Sequence, residues 1–201
     1  MKIGILGGSF DPIHNGHLHM AVCARDAFAL DEVWMIPAGH SPNKDEHAMT
    51  PALDRLNMCR LAAEPFPWLK VNPMEIESVE RSYTYRTLEK LTREFPDHIF
   101  YFIMGGDSLD YFEDWKHPEI IASLCTILVI PRDEFDQACM QDKIYSLEKL
   151  FTCSIRIVPC RKYPISSTQV RASLQNREYG QMDLPIEVLD YIKKNHLYGV
   201  S

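Results

Sequence analysis

Two histidines, His14 and His17, lie three positions apart near the start of the chain and follow a pair of glycines, Gly7 and Gly8. The glycines allow the main chain to turn sharply and a ligand to approach the backbone closely. A helical pattern begins after them, so the N–H groups of the first helical turn and the two imidazoles can face one point. Such donors bind phosphate oxygens. Residues 7–17 therefore predict a phosphate-binding loop.

Two other interpretations of the histidine pair are open. A metal site would need further cysteine or carboxylate ligands, and Asp11 alone does not complete such a set. Alternatively, His14 and His17 are ordinary capping or surface histidines, although we expect Asn15 or Gly16 to cap the helix. The position of the pair directly after a predicted strand and two glycines favours phosphate binding.

A second set of anion-binding groups lies towards the end of the chain. Ser167 and Thr168 offer hydroxyls at a predicted helix start, and Arg171 lies one turn further on, so its guanidinium can reach the same anion. A plain helix cap followed by a solvent-exposed arginine is the alternative. Combined with the first loop, the pattern favours a second phosphate site.

Short apolar runs alternate with longer amphipathic stretches along the chain, which is the pattern of βαβ units. The predicted strands are residues 2–6, 32–36, 69–72, 99–104, 126–130 and 155–158, with 73–79 as a candidate edge extension. The predicted helices are residues 16–30, 51–63 (starting at Thr50-Pro51), 84–95 (capped by Ser82 or Thr84), 109–112, 119–124, 135–150, 168–175 and 185–194.

This alternation predicts an α/β fold in a single domain over residues 1–201: a Rossmann-like, doubly wound, mostly parallel sheet with helices on both faces and a helical C-terminal tail. Ligands of such sheets bind at the carboxyl ends of the strands. Four loop segments follow predicted strand ends and should gather there: 7–17, 37–44, 105–107 and 164–171.

Composition and charge limit the classes of partner. The 201 residues are 46% apolar and carry a formal net charge of −7, so nucleic acid and anionic membranes, which need a basic face, are not expected as partners. No signal-peptide pattern or apolar run of membrane-spanning length is present, and we expect a cytoplasmic protein. The cysteines have no C-x-x-C spacing and are expected to be reduced: Cys23, Cys59, Cys125, Cys139, Cys153 and Cys160.

The first loop resembles that of the HxGH superfamily of nucleotidyltransferases, whose pattern G-x-F-D-P-x-H-x-G-H is matched by Gly8 to His17. The segment Ile165 to Arg171 (ISSTQVR) is similar to the C-terminal phosphate motif of the same superfamily. The resemblance implies that both ends of the chain bind the triphosphate of one ATP. The implied ATP-binding residues are Gly8, Ser9, Phe10, His14, His17, Gly105, Asp107, Ser167, Thr168 and Arg171.

The middle of the chain resembles one branch of that superfamily, the bacterial nicotinate-nucleotide adenylyltransferases. The resemblance rests on Ser82-Tyr83-Thr84, Gly106-Asp107-Ser108, Trp115 and the closing Leu184-Pro185 to Leu197-Tyr198. It implies that Trp115 stacks on a pyridine ring and that Asp107 holds ribose hydroxyls. Taken alone, Trp115 would be a core or rim aromatic, and Asp107 could equally be a helix N-cap. The residues implied to bind nicotinate mononucleotide are Ser9, Lys44, Tyr83, Thr84, Trp115 and Lys116.

Two departures from the branch's usual pattern affect the acceptor site. Lys116 follows Trp115 where tyrosine is usual, and the loop after the second strand ends Ser41-Pro42-Asn43-Lys44 instead of P-P-H-K. Lys44 is retained where a phosphate-binding lysine is expected. A cation at Lys116 could favour a carboxylate over an amide on the pyridine ring.

The implied reaction is adenylyl transfer from ATP to nicotinate mononucleotide. The acceptor's 5′-phosphate has a second pKa of about 6 and needs no general base. The implied catalytic residues are therefore charge-neutralising groups: His14, His17, Lys44 and Arg171. Mg²⁺ is the expected cofactor, held by phosphates and not by protein side chains.

Other functions are compatible with the same motifs. The acceptor could be nicotinamide mononucleotide or phosphopantetheine, or the chain could bind a nucleotide without turnover. The set of cationic groups around the predicted triphosphate favours catalysis over binding alone. A homo-oligomer is compatible with the sequence and cannot be deduced from it.

Overall fold

The computed structural model describes residues 1–41, 49–131, 136–161, 163–178 and 183–200. Its strands are β1 (Lys2–Gly8), β2 (Glu32–Pro37), β3 (Leu69–Val71), β4 (Ile99–Gly105), β5 (Thr126–Ile130) and β6 (Ile155–Ile157). Its α-helices are α1 (Asn15–Phe28), α2 (Ala52–Ala63), α3 (Thr84–Glu94), α4 (Gly106–Asp110), α5 (Pro118–Leu124), α6 (Asp136–Phe151), α7 (Ser167–Gln175) and α8 (Ile186–Lys194). Short 3₁₀ turns cover Phe112–Asp114 and Leu197–Gly199.

The six strands form one parallel sheet in the order β3-β2-β1-β4-β5-β6. In this order the chain winds outward from β1 to one edge and then returns beside β1 with β4, which makes the β1–β4 boundary the switch point of a Rossmann-like sheet. Ile5 pairs with Trp34 of β2 on one side and with Phe102 of β4 on the other. The predicted fold class is confirmed, and the switch point marks where a ligand should bind.

Helices cover both faces of the sheet because the strands are apolar on both sides. Leu6 and Leu128 belong to the core cluster that includes side chains of α1, α2, α7 and α8. Ile5 and Val129, one residue along each strand, belong to the cluster that includes side chains of α3, α4, α5 and α6. Successive side chains of a strand point to opposite faces, so each strand contributes to both cores.

Helix starts were the least accurate sequence predictions. His14, and not Asn15 or Gly16, is the N-cap of α1. The helix predicted from Thr50-Pro51 has Pro51 at its N-cap, and the predicted Thr50 hydroxyl cap is absent. Tyr83 is the N-cap of α3, because Ser82 instead accepts a hydrogen bond from the Gly39 N–H (3.0 Å).

Two further differences concern the sheet edge and the end of α1. Residues 73–79 form turns and bends, so the predicted edge extension was wrong, and β3 ends at Val71. The predicted first helix ends at Phe28 because Ala29 adopts a left-handed conformation with φ of 49°. Other strand and helix limits agree with the predictions to within a few residues. Residue 135, predicted to start a helix, lies outside the described residues.

One cysteine prediction was wrong. Cys23 and Cys160 are paired in a disulfide, with their Cα atoms 5.7 Å apart. The two residues are 137 positions apart, so no local spacing could indicate the pair. Cys59, Cys125 and Cys153 are free thiols.

Among the described residues, no helix combines the length and the apolar composition needed to cross a membrane.

Replacement of a core side chain should test the assignment of the central strands. Leu128 of β5 has no exposed surface, so we expect Leu128→Ala to lower the free energy of unfolding by about 2–5 kcal/mol. Leu53→Ala is the matched control, because Leu53 is 61% exposed and its loss should change stability by only about 0.5 kcal/mol. Chemical denaturation measures both. Equal effects in the two variants would contradict this core.

Candidate active site

The first loop places both predicted histidines at the start of α1. His14 has an extended backbone, and its N–H donates to Nδ1 of His17 at 3.2 Å. The two imidazole rings stack with their centroids 3.7 Å apart, and Phe10 meets the His17 ring edge-on at 4.9 Å. The N-terminal end of α1 and the two imidazoles thus present their donors at the carboxyl end of β1.

Phe10 packs inside this loop, between the core and the His17 ring. Its ring is buried, its φ is 47°, and a cis peptide bond joins Asp11 to Pro12 two residues later. Phe10 does not line either of the two large cavities described below. The side chain of Phe10 packs against the His17 ring, and the ATP contact predicted for Phe10 stays a prediction.

The start of α7 lies directly against the first loop. The Ser167 hydroxyl donates to the carbonyl oxygen of Pro12 at 3.0 Å. Arg171 donates through Nη1 to the carbonyl oxygen of Asp11 at 2.6 Å and through Nη2 to the hydroxyl of Thr168 at 3.2 Å. The two residues of each pair are 155 or 160 positions apart in sequence, and they meet at one edge of the sheet.

A glycine allows this close approach. A Cβ on Gly16 would lie 2.5 Å from Cγ2 of Ile165 and 2.9 Å from Nδ1 of His14. Any larger residue at position 16 would therefore push the C-terminal segment away from the first loop. The glycine of the motif is needed for the contact between the two segments.

Ser166 supplies the cap of α7. Its hydroxyl accepts from the Gln169 N–H at 3.3 Å, and the Gln169 side chain accepts from the Ser166 N–H at 2.9 Å. This reciprocal capping box leaves the hydroxyls of Ser167 and Thr168 for other contacts. The alternative interpretation of a plain serine cap is therefore confirmed at Ser166, whereas its solvent-exposed arginine was wrong because Arg171 donates to Asp11 and Thr168.

Arg55 fixes the loop from the other side. It is 1% exposed and donates to three main-chain carbonyl oxygens: those of Ser9 (2.7 Å), Thr50 (3.0 Å) and Gly39 (3.4 Å). Burial lowers the pKa of its guanidinium, and the nearby carboxylate of Asp11 offsets part of that effect. No motif in the sequence indicated Arg55, because it lies within an ordinary helical pattern.

Asp11 braces the loop. It is 4% exposed, accepts a hydrogen bond from the Tyr198 hydroxyl on Oδ1 (2.6 Å), and lies 3.4 Å from the Thr50 N–H through Oδ2. Burial, followed by the hydrogen bond to Asp11, raises the pKa of the Tyr198 hydroxyl. The sequence left the role of Asp11 open, and these contacts show that it ties the loop to the C-terminal end of the chain.

Two cavities meet at the carboxyl end of β1. The first, here called the phosphate-side cavity, has a volume of about 770 Å³ and lies beside the histidine pair and the start of α7. The predicted ATP-binding residues that line it are Gly8, Ser9, His14, His17, Gly105, Asp107, Ser167, Thr168 and Arg171.

The second, here called the aromatic-side cavity, has a volume of about 860 Å³. Five of the residues predicted to bind nicotinate mononucleotide line it: Ser9, Tyr83, Thr84, Trp115 and Lys116. Gly8, Ser9 and Trp115 line both cavities, so molecules bound in the two would meet at the end of β1. Both volumes are in the range of small-molecule sites. Lys44 lies outside the described residues.

Trp115 combines packing with an exposed surface. Its ring is 5.9 Å from Phe102 at an interplanar angle of 82° and 5.7 Å from Phe112. The indole is therefore held by the core on one side while it lines both cavities on the other. This arrangement suits an aromatic platform on which a flat ring could stack.

Asp107 is the second residue of α4, whose N-cap is Gly105, so its alternative interpretation as an N-cap was wrong. Its carboxylate lies in the first turn of the helix and lines the phosphate-side cavity. That position is compatible with a contact to ribose hydroxyls.

Glu75 is a wall residue of the aromatic-side cavity that sequence reasoning missed. Burial raises the pKa of its carboxyl, and hydrogen bonds from Thr87 and Ser82 partly counteract this. The Thr87 hydroxyl donates to Oε1 at 2.5 Å. Glu75 therefore connects the bends before α3 to the beginning of that helix, next to Tyr83 and Thr84.

Comparison with known proteins agrees with this geometry. Residues 5–173 match the model of the family described as cytidylyltransferase-like, and the chain belongs to that family. A solved structure, "Plasmodium falciparum nicotinic acid mononucleotide adenylyltransferase complexed with NaAD", superposes with a TM-score of 0.77 at 24% identity and covers 100% of this chain and 98% of that one. At this identity the likeness establishes the shared fold.

Two curated relatives indicate to which group within this family the chain belongs. "Probable nicotinate-nucleotide adenylyltransferase" of Oceanobacillus iheyensis is 37% identical over 198 residues, which cover 98% of this chain and 97% of that protein. The protein of the same name from Clostridium acetobutylicum is 34% identical over 197 residues, which cover 98% of both chains. Within the cytidylyltransferase-like family, the chain belongs with the nicotinate-nucleotide adenylyltransferases.

Removal of the Tyr198 hydroxyl should destabilise the loop that it braces. Tyr198→Phe leaves the buried Asp11 carboxylate without its shortest hydrogen bond, so we expect the free energy of unfolding to fall by about 1.5–3 kcal/mol. Tyr145→Phe, at a residue that is 69% exposed, is the matched control and should change little. Urea denaturation compares the two, and an unchanged Tyr198→Phe variant would refute the bracing role.

The raised pKa of Glu75 predicts a pH-dependent stability. Because its pKa is higher in the folded than in the unfolded state, the folded state binds this proton more tightly, and the resulting stability is lost as the pH rises through the folded pKa. Relative to Glu75→Gln, the wild type should therefore gain stability as the pH falls from about 8 to about 5. Thermal unfolding across this range measures the difference. A constant difference, or a gain by the variant, would show that the folded pKa is not raised.

Proposed function

We propose that this protein transfers the adenylyl group of ATP to nicotinate mononucleotide, forming nicotinate adenine dinucleotide (deamido-NAD) and pyrophosphate in NAD biosynthesis. The observation that carries the proposal is the meeting of two phosphate-binding segments, 7–17 and 165–171, in one cavity that adjoins an aromatic cavity. The near full-length similarity to nicotinate-nucleotide adenylyltransferases supports it. We also propose that the reaction takes place in the cytoplasm, where ATP is supplied.

ATP binds in the phosphate-side cavity, with its triphosphate between the starts of α1 and α7. His14, His17 and Arg171 then donate to phosphate oxygens, joined by Lys44. Arg171 uses two of its nitrogens on protein oxygens, and a guanidinium has five N–H donors, so further donors remain for the ligand. Gly8, Ser9, Gly105, Asp107, Ser167 and Thr168 complete the proposed ATP site.

Mg²⁺ is the proposed cofactor. Among the described residues, those predicted to bind ATP, apart from Phe10, also line the phosphate-side cavity. They offer mainly imidazole, hydroxyl and guanidinium groups, with one carboxylate from Asp107. These groups do not form an oxygen cage for a divalent cation. This donor set fits an ion that arrives with ATP and is held by its phosphates. When bound, Mg²⁺ supplies further neutralisation of phosphate charge.

Nicotinate mononucleotide binds in the aromatic-side cavity. Its pyridine ring stacks on Trp115, Tyr83 and Thr84 approach the ring carboxylate at the start of α3, and Lys116 adds a cation to that wall. The 5′-phosphate then lies near Ser9 and Gly8, where the two cavities meet.

The reaction joins two anions, so the protein's task is positioning and charge neutralisation. An oxygen of the acceptor 5′-phosphate forms a bond to the α-phosphorus of ATP while the bond from that phosphorus to the oxygen bridging to the β-phosphate breaks, and pyrophosphate leaves with the electron pair. The attacking phosphate is ionised near neutral pH, so no side chain has to remove a proton. The cations named above lower the repulsion between the two substrates.

Purified protein should release pyrophosphate from ATP and Mg²⁺ when nicotinate mononucleotide is supplied, and much less with nicotinamide mononucleotide or phosphopantetheine. Turnover with phosphopantetheine alone would assign a different acceptor, and ATP binding without turnover would identify a nucleotide-binding module.

His17→Ala should lose most of the turnover while it keeps the fold, because an imidazole donor to the triphosphate is removed. His196→Ala, at an exposed histidine outside both cavities, is the control and should keep the wild-type rate. Steady-state pyrophosphate release and circular dichroism measure both properties. A near wild-type rate in His17→Ala would contradict the role given to this residue.

A further inference from the structure

A cluster of three potential metal ligands lies beside the phosphate-side cavity. His19 and Cys23 are four residues apart on α1 and so share one face of the helix, and Cys160 follows β6. Nε2 of His19 is 3.1 Å from Sγ of Cys160 and 3.6 Å from Sγ of Cys23. One ligand atom from each residue lies within 4.8 Å of the others.

We propose that His19, Cys23 and Cys160 bind one zinc-class cation when the cysteine pair is reduced. Two thiolates and an imidazole are the ligands that Zn²⁺ takes in proteins, with Zn–S bonds of about 2.3 Å and Zn–N bonds of about 2.0–2.1 Å. In a tetrahedral centre such ligand atoms lie roughly 3.5–3.8 Å apart; the Cys23–His19 distance of 3.6 Å lies in this range, and the Cys160–His19 distance of 3.1 Å would lengthen slightly on binding.

The imidazole is the feature that a disulfide alone does not explain. A disulfide needs only two sulfur atoms. Here the imidazole of His19, one helical turn before Cys23, also lies next to both sulfur atoms. Nε2 of His19 now forms a hydrogen bond with the carbonyl oxygen of Arg161 (2.7 Å), which the ring would exchange for the cation, and the fourth position of the tetrahedron is left to water. All three side chains are half-buried, so a cation can reach them from solvent.

The conversion from disulfide to metal site balances with an ordinary thiol as reductant. Two equivalents of a small-molecule thiol break the S–S bond between Cys23 and Cys160, are joined to each other as a disulfide, and leave two protein thiols. Binding of the cation then releases both thiol protons to solvent, so affinity should rise with pH.

The site would link the two segments that form the phosphate-side cavity. His14 is the N-cap of α1, His17 lies in its first turn, and His19 and Cys23 follow on the same helix. Cys160 is five residues before Ile165, which packs against Gly16. His19 and Arg161 themselves line the cavity. A cation here would hold the segment before α7 against α1 without taking part in adenylyl transfer.

The direct test is metal binding by the full-length, reduced protein. We expect one equivalent of Zn²⁺ to be retained in competition with a chromophoric chelator, and Co²⁺ to give a thiolate-to-metal charge-transfer band in the near ultraviolet. Cys23→Ser and Cys160→Ser should weaken binding by roughly 100-fold or more, since changes in outer-shell residues alone cost 10–100-fold. His19→Gln should weaken binding and change the Co²⁺ spectrum.

Cys153→Ser is the matched control, because Cys153 is a free, half-buried thiol outside the cluster. It should bind zinc like the wild type. Saturating zinc should also raise the Tm of the reduced wild type by roughly 5 °C or more and leave that of Cys160→Ser unchanged.

Two results would overturn the proposal. If reduced wild type binds zinc no better than Cys23→Ser, the pair is a disulfide only, and mass spectrometry of the unreduced protein should show the loss of two hydrogens. If His19→Gln keeps full affinity and the same Co²⁺ spectrum, the imidazole is not a ligand. Both readouts are independent of turnover, so they remain decisive even if the acceptor in the proposed reaction is different.

Discussion

The carbonyl oxygens of the first loop must be held by donors from distant parts of the chain for the site to exist. Arg55 donates to Ser9, Arg171 donates to Asp11, and Ser167 donates to Pro12. Each bond satisfies a main-chain acceptor, and buried polar groups are costly when left unpaired. With its carbonyls bound in this way, the loop presents the histidines and the start of α1 to the cavity. Two helices far from the loop in sequence, α2 and α7, thus determine its conformation.

This constraint links the fold to the proposed chemistry. The switch point between β1 and β4 opens the crevice, and α7 closes one side of it because Gly16 allows Ile165 to approach. The same contacts bring Arg171 next to the histidine pair. Cations gathered in this way can neutralise two phosphate groups at once, which is what a transfer between two anions requires.

Much of this arrangement could be predicted from the sequence because its signals are local. The alternation of apolar strands with amphipathic helices predicted the sheet, and strand Thr126–Ile130 was located with its correct limits. The glycine-rich loop and the serine-threonine helix start were both predicted as anion sites. Their position at the carboxyl ends of strands then followed from the general rule for parallel sheets.

The parts that could not be predicted depend on contacts across long sequence separations. Arg55 looks like a surface residue of α2, yet its partners lie after β1 (Ser9) and between β2 and α2 (Gly39 and Thr50). Tyr198 is 187 positions from Asp11, and Cys160 is 137 positions from Cys23. Such pairings are set by tertiary packing, and one sequence carries no signal for them.

The central claim is that the first loop and the start of α7 bind the same triphosphate. The most direct measurement is an NMR titration of the full-length protein with ATP and Mg²⁺ that follows the His14 and His17 imidazoles together with the Ser167 and Thr168 amides. We predict that all four sets of signals shift along one binding curve that saturates at one equivalent of ATP. Shifts confined to one segment, or two segments that respond with different affinities, would contradict a shared site.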